Sequence, residues 1–135
     1  MTLARPERAA IILGAIDFLR REESLKLLAF CIMPDHWHML FVLTVQYNVS
    51  DLMKRIRRFS ARELNRLLDR SGPFWQEGFH DHCCRDDRDI EEHLTYIELN
   101  PVRAGLIQAA IDWPFSSAHP ANARLLDRQW YAEVH

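Results

Sequence analysis

The chain is poor in the residues that staple or interrupt small folds. Three cysteines in 135 residues, two of them adjacent at Cys83 and Cys84, do not make a disulfide framework. Four glycines and six prolines are scattered as punctuation, so no stretch reads as a linker, a low-complexity tract or an internal repeat. The longest apolar run near the start, residues 9–16, is interrupted by Gly14 and falls far short of the roughly 20 residues that span a bilayer. No segment resembles a secretory signal. Neither sign of charge dominates: the net value is −2, and the whole-molecule balance predicts no attraction to nucleic acid. What is present is ordinary, with 48% hydrophobic and 27% charged residues. A chain of this length buries roughly two-thirds of its unfolded surface and needs no staples. The expectation is one soluble, cytoplasmic domain over residues 1–135, in which 119–135 is a short tail.

The spacing of Ile11, Ile12, Ala15, Ile16 and Leu19 predicts a helix over residues 5–21, with Pro6 suited to its first turn. Residues 26–33 form an apolar run of strand length that stops at the turn signal Pro34-Asp35. Residues 36–44, rich in aromatic and β-branched side chains, complete a β-hairpin. Strand alternation sends His36 and His38 to one side and Trp37 to the other. A long helix is expected over 51–69, with Asn48, Ser50 and Asp51 as cap candidates. There Arg55, Arg58, Arg62 and Arg66 step by three or four and align along one ridge. Residues 51–70 hold seven basic side chains against three acidic ones, a balance of +4, so the remainder carries −6. The modest total conceals a polarised molecule.

Ser71-Gly72-Pro73 breaks that helix, and a short strand is expected within residues 78–84. Asp86, Asp87 and Asp89 suit the start of a further helix, with Ile90, Leu94 and Ile97 as its buried stripe. Pro101 should end it near Leu99 or Asn100. Beyond Trp113-Pro114-Phe115-Ser116-Ser117, one or two helical turns are expected at most.

Two constellations could carry chemistry. His36 and His38 at i and i+2 stand side by side on a rigid strand, close enough to share one divalent ion; the plainer alternative is two polar residues on a solvated face. Tyr96 lies on the later helix with Asn100 one turn on. Phenols ionise near ~10, so a tyrosine nucleophile needs a neighbouring cation or base. The plainer alternative is a ring at a helix–sheet boundary with its hydroxyl wet.

Read together, the fragments are more specific. Met33-Pro34-Asp35-His36-Trp37-His38-Met39-Leu40-Phe41 is followed by Phe74-Trp75-Gln76-Glu77-Gly78-Phe79. Tyr96-Ile97-Glu98-Leu99-Asn100-Pro101-Val102-Arg103-Ala104-Gly105-Leu106 comes next, and the Trp-Pro-Phe-Ser-Ser motif closes the series. In order and spacing, over roughly residues 25–118, this resembles the single-tyrosine HUH transposases, most of all their REP-associated tyrosine transposase branch. The resemblance implies an α+β fold, a ferredoxin-like antiparallel sheet backed by helices. It implies that His36, His38 and Asn100 bind Mg²⁺ or Mn²⁺ and that Tyr96 is the nucleophile. The implied substrate is single-stranded DNA beside an imperfect hairpin, a repetitive extragenic palindrome, cut through a 5′-phosphotyrosine intermediate. Lys54, Arg55, Arg58, Arg62 and Arg66 would then contact phosphates, and Arg103 could touch the DNA backbone. The protein would act as a monomer or homodimer at the nucleoid, without a membrane.

The resemblance implies a strand before the first helix. Here Met1-Thr2-Leu3-Ala4-Arg5-Pro6 leads almost directly into the helix, so that strand is expected to be missing and guide-sequence recognition altered. Two other readings stand beside the enzyme. One is a degenerate copy that binds hairpin DNA without cutting. The other is an unrelated zinc protein built on His36, His38, His80 and His82. Cys83 and Cys84 fit that second reading poorly, because neighbours on a strand point apart. His93, one turn before Tyr96, is a possible proton shuttle or simply an exposed histidine.

Overall fold

A computed structural model describes residues 1–44, 48–75, 80–84 and 90–134, with only the backbone described for 80–84. Helix α1 spans Pro6–Arg21, with proline in its first turn, Glu7 near its positive end and Arg20 and Arg21 near its negative end. Strands β1 (Leu25–Ile32) and β2 (His36–Leu43) pair antiparallel from Leu25↔Leu43 to Ile32↔Trp37. The Pro34-Asp35 turn is closed by the Met33 amide donating to the His36 carbonyl at 2.7 Å.

Helix α2, Val49–Leu68, starts at Asn48, whose side chain accepts from the Asp51 amide at 2.7 Å. It ends at Asp69 in the left-handed conformation, φ 53°. Strand β3, His80–Cys84, joins β2 in parallel, so the sheet order is β1-β2-β3. The antiparallel hairpin of the expected α+β fold is therefore present, and its third strand adds in parallel through the α2 crossover. Before α1 no strand forms: Leu3 is buried, with its amide donating to the Pro34 carbonyl at 2.7 Å.

The sheet separates two apolar layers. On one face Trp37, Met39 and Phe41 of β2 pack with Ile12 and Ile16 of α1 and Leu52, Ile56 and Leu64 of α2. On the other, Leu40 of β2 packs with Ile90 and Ile97 of helix α3, Ile90–Glu98. Strand β1 is buried on both faces, which is why it reads as a continuous apolar run. A register shift between Leu27 and Ala29 sends Leu28 and Ala29 to the α3 layer, with Leu27 and Phe30 facing α1 and α2.

Helix α3 stops at Glu98, beside the end expected near Leu99 or Asn100. Pro101 itself sits in the first turn of a further short helix, α4, Asn100–Arg103, where its missing N–H costs nothing. The end of the chain carries more structure than expected. Two 3-10 helices, Ala110–Asp112 and Pro120–Leu125, precede helix α5, Arg128–Val134. This region lies along β1. The Ile32 amide donates to the Phe115 carbonyl at 2.8 Å, and the Ser117 amide to the Phe30 carbonyl at 2.9 Å. Further along, the Asp127 carboxylate accepts from the Leu27 amide at 2.8 Å and from Arg20 at 2.9 Å. An outer strand whose backbone groups are taken in this way no longer offers a free edge for pairing. Among the described residues, no helix is long and apolar enough to cross a membrane.

Candidate active site

His36 and His38 occupy the same strand phase as Leu40, so they stand on the face covered by α3, and buried Trp37 anchors the strand from the opposite side. Their rings meet edge to face with centroids 4.9 Å apart. The neighbouring Asp35 accepts a hydrogen bond from His36 Nδ1 at 2.7 Å. A proton held there leaves Nε2 with its lone pair, the tautomer a metal ligand needs. That Nε2 lies 3.3 Å from the side-chain amide of Asn100. The sheet and the start of α4 are thus joined by the same residues that the sequence pattern singled out.

Among the described residues, no three His, Cys, Asp or Glu side chains gather into a metal-holding group. The Asn100 carboxamide, whose Nδ2 faces His36 Nε2, carries an oxygen that a half-turn of the amide would bring toward an ion held there. Two imidazoles and an amide oxygen leave coordination positions open for phosphate and water, so the donor set fits Mg²⁺ or Mn²⁺ chemistry. Register sets His80 opposite His36 and His82 opposite His38 across the parallel pair. The zinc alternative depends on the side chains of His80 and His82, which lie outside the described residues.

Tyr96 sits four residues before Asn100 and is 58% exposed. Arg103 is folded back onto it. The guanidinium carbon lies 3.9 Å from the ring centroid, and one of its nitrogens donates to the Tyr96 carbonyl at 2.6 Å. The contact satisfies a carbonyl at the helix end and lays a cation on the phenol face. Arg103, expected to reach toward a DNA backbone, is here engaged with the tyrosine.

The residue that ties this helix down was not recognisable from spacing. Glu98, two positions from Tyr96 and on another side of α3, has a side chain only 15% exposed. It accepts from Ser117 Oγ at 2.6 Å and from Arg128 at 2.5 Å. Both donors also touch β1: Ser117 Oγ accepts from the Phe30 amide at 3.0 Å, and Arg128 Nε donates to the Leu28 carbonyl at 2.8 Å. The adjacent serines of the Trp-Pro-Phe-Ser-Ser motif were the available signal. Buried Cys31 lies in the same layer, and burial, reinforced by the Glu98 charge, pushes its thiol up to about 12.

The arginine ridge is elsewhere. Lys54, Arg58, Arg62 and Arg66 are exposed on α2, and Arg55 is half-buried with an ion pair to Glu22 at 3.2 Å. Arg62 and Arg66 both lie near Glu63, at 3.4 and 3.3 Å. Helix α2 packs on the Trp37 face, so the sheet stands between this ridge and the histidines.

With a strand-borne histidine pair that meets Asn100, and Tyr96 on the helix just before it, the chain belongs to the IS200-like transposase family, whose sequence model matches residues 7–100. Within it, the chain falls in the REP-associated tyrosine transposase branch. It is 34% identical over 116 residues to a Haemophilus influenzae protein named "Putative REP-associated tyrosine transposase", covering 76% of this chain and 64% of that one. It is 29% identical over 121 residues to the "REP-associated tyrosine transposase" of Escherichia coli K12, covering 89% and 71%. The chain thus spans somewhat less than two-thirds of the Haemophilus relative. No solved structure matches it.

Proposed function

We propose that this chain nicks and rejoins single-stranded DNA beside hairpins, in the cytoplasm at the nucleoid, with Tyr96 as nucleophile. The observation that carries the reading is the 3.3 Å approach of Asn100 to His36 Nε2, because it ties the tyrosine-bearing helical segment to the histidine pair. His36, His38 and Asn100 would hold Mg²⁺ or Mn²⁺. Such an ion, when bound, supplies Lewis acidity at the scissile phosphate.

The chain's own residues do the rest. Asp35 fixes the His36 tautomer, and Arg103 holds the phenol ring at the helix end. The Tyr96 oxygen attacks phosphorus and loses its proton to solvent. The P–O bond to the upstream sugar breaks, and that oxygen leaves as a 3′-hydroxyl carrying a proton. The resulting 5′-phosphotyrosine keeps the energy of the phosphodiester. A later 3′-hydroxyl can therefore reverse the step and join strands, which water attack would not permit.

The test is covalent. Labelled hairpin DNA with a single-stranded flank, incubated with the protein and Mn²⁺, should yield a protein–DNA adduct that resists denaturation. Tyr96→Phe and chelation should each abolish it. Tight hairpin binding with no adduct on any substrate would leave the non-cleaving binder as the better account.

A further inference from the structure

The face of the molecule away from the histidines carries an apolar cleft that the reaction does not use. It lies between α1 and α2, holds about 340 Å³, and is lined by Gly14, Ala15, Phe18, Leu19, Arg55 and Phe59. Phe18 is 58% exposed and Phe59 40%, so two aromatic rings flank it with much of their surface in water. A β-carbon placed on Gly14 would meet no atom within 4 Å, so the cleft is open at that wall. Its α2 side is basic. Arg62 lies 5.6 Å from the Phe59 ring centroid, and Lys54 and Arg58 are exposed with no acidic partner among the described residues. Acidic groups on the flanking helices include Asp17, paired with Arg20 and Arg21, and Asp51 in the first turn of α2; Glu22 is paired with Arg55 and Glu63 with Arg62 and Arg66.

We propose that this cleft takes one unpaired nucleobase, stacked by Phe18 and Phe59, from a DNA strand whose phosphates run along the α2 arginines. The inference rests on the reading above that the chain handles single-stranded DNA. A flat apolar ring attached to a chain of negative charges is what an aromatic slot with a basic rim recognises. A base inside a duplex has both faces covered by its neighbours, so the site selects unpaired nucleotides. A second copy of the chain fits the cleft less well. A two-fold contact through this patch would set Lys54, Arg55, Arg58 and Arg62 against their own counterparts.

Gly14→Leu is the decisive variant. The position is exposed on α1, leucine is the better helix former, and its side chain would fill the cleft without removing a charge. The probe is a hairpin oligonucleotide whose single-stranded flank carries 2-aminopurine at successive positions. The parent protein should change the fluorescence at one position only. Gly14→Leu should remove that change and weaken binding about 5- to 100-fold, since stacking of one base is worth roughly that much. It should leave the slope of log affinity against log salt unchanged, whereas Arg58→Ala should lower that slope by about one. Parental DNA binding by Gly14→Leu overturns the proposal. If that variant instead loses a dimer seen for the parent by sedimentation, the occupant is a second copy. Adduct formation at Tyr96 on an oligonucleotide covering only the cut site is scored separately. An adduct with a silent cleft sinks this inference alone, and a responsive cleft without an adduct sinks only the nuclease reading.

Discussion

Replacing Glu98 by alanine tests whether the nucleophile helix is held by a polar pin or by apolar packing alone. The carboxylate accepts two short hydrogen bonds, from Ser117 at 2.6 Å and Arg128 at 2.5 Å. Bonds to a charged group are worth about 1.5–3 kcal/mol each. The full sum is not lost. Arg128 is 39% exposed and regains water, which discounts its share strongly. Ser117 Oγ can turn its proton to the Phe30 carbonyl, 3.2 Å away. The net cost is about 2 kcal/mol, and Glu98→Gln, which keeps an acceptor, should cost about half of that. Unfolding entropy near 2.1 cal/mol/K per residue turns about 2 kcal/mol into a fall in Tm of roughly 7 °C for this chain. A thermal melt followed by circular dichroism measures it. At temperatures where both proteins are folded, the adduct rate should fall about 10- to 100-fold, because an ångström of play at the nucleophile costs on that order. A melting point within a degree of the parent would refute the pin. A lowered melting point with an unchanged rate would show that Glu98 stabilises the fold without positioning Tyr96.

Asp35→Ala frees His36 Nδ1, so Mn²⁺ affinity measured by calorimetry should drop about 10- to 100-fold with the fold intact; unchanged affinity would remove Asp35 from the site. Arg103→Lys keeps the charge but loses the flat guanidinium over the ring, so adduct formation should slow about 10-fold while DNA affinity stays within about 2-fold. If affinity falls and the rate constant does not, Arg103 is a phosphate contact after all. Cys31, with its thiol raised to about 12, should be inert to alkylating reagents in the native protein at pH 8. Its protonated form is favoured in the folded state, so its contribution is complete below the unfolded thiol value and is lost as pH rises from about 9 toward 12. Cys31→Ala should remove that part of the alkaline destabilisation seen in urea melts, and an identical alkaline profile would contradict the assignment.

The parts of the fold that were legible are those where local and global preferences agree. The proline-led first helix, the hairpin around Pro34-Asp35 and the Asn48-capped second helix all carry their own start and stop signals. The His36/His38 pair was legible because strand alternation leaves no choice of face once Trp37 is buried. Other features depend on who sits across the sheet. The β1 register shift needs the two packing layers to be known. Pro101 follows the end of α3 and also sits in the first turn of α4, and its sequence signal foretold the first role and not the second. Asp127 reads as one more surface carboxylate until β1 comes to lie against it, 100 residues away in sequence.

The sheet's two coverings bear differently on function. Helices α1 and α2 pack on the Trp37 face and present the arginines outward, whereas the histidines, Asn100 and Tyr96 belong to the α3 face. A charge balance summed along the sequence cannot register that division, and neither can a list of basic residues near a motif. On the proposed function, phosphate affinity and bond breaking fall to surfaces with no side chain in common. A variant that loses Tyr96 or His36 would then keep its arginine ridge, so the cleaving and non-cleaving readings share one scaffold and differ on the α3 face alone.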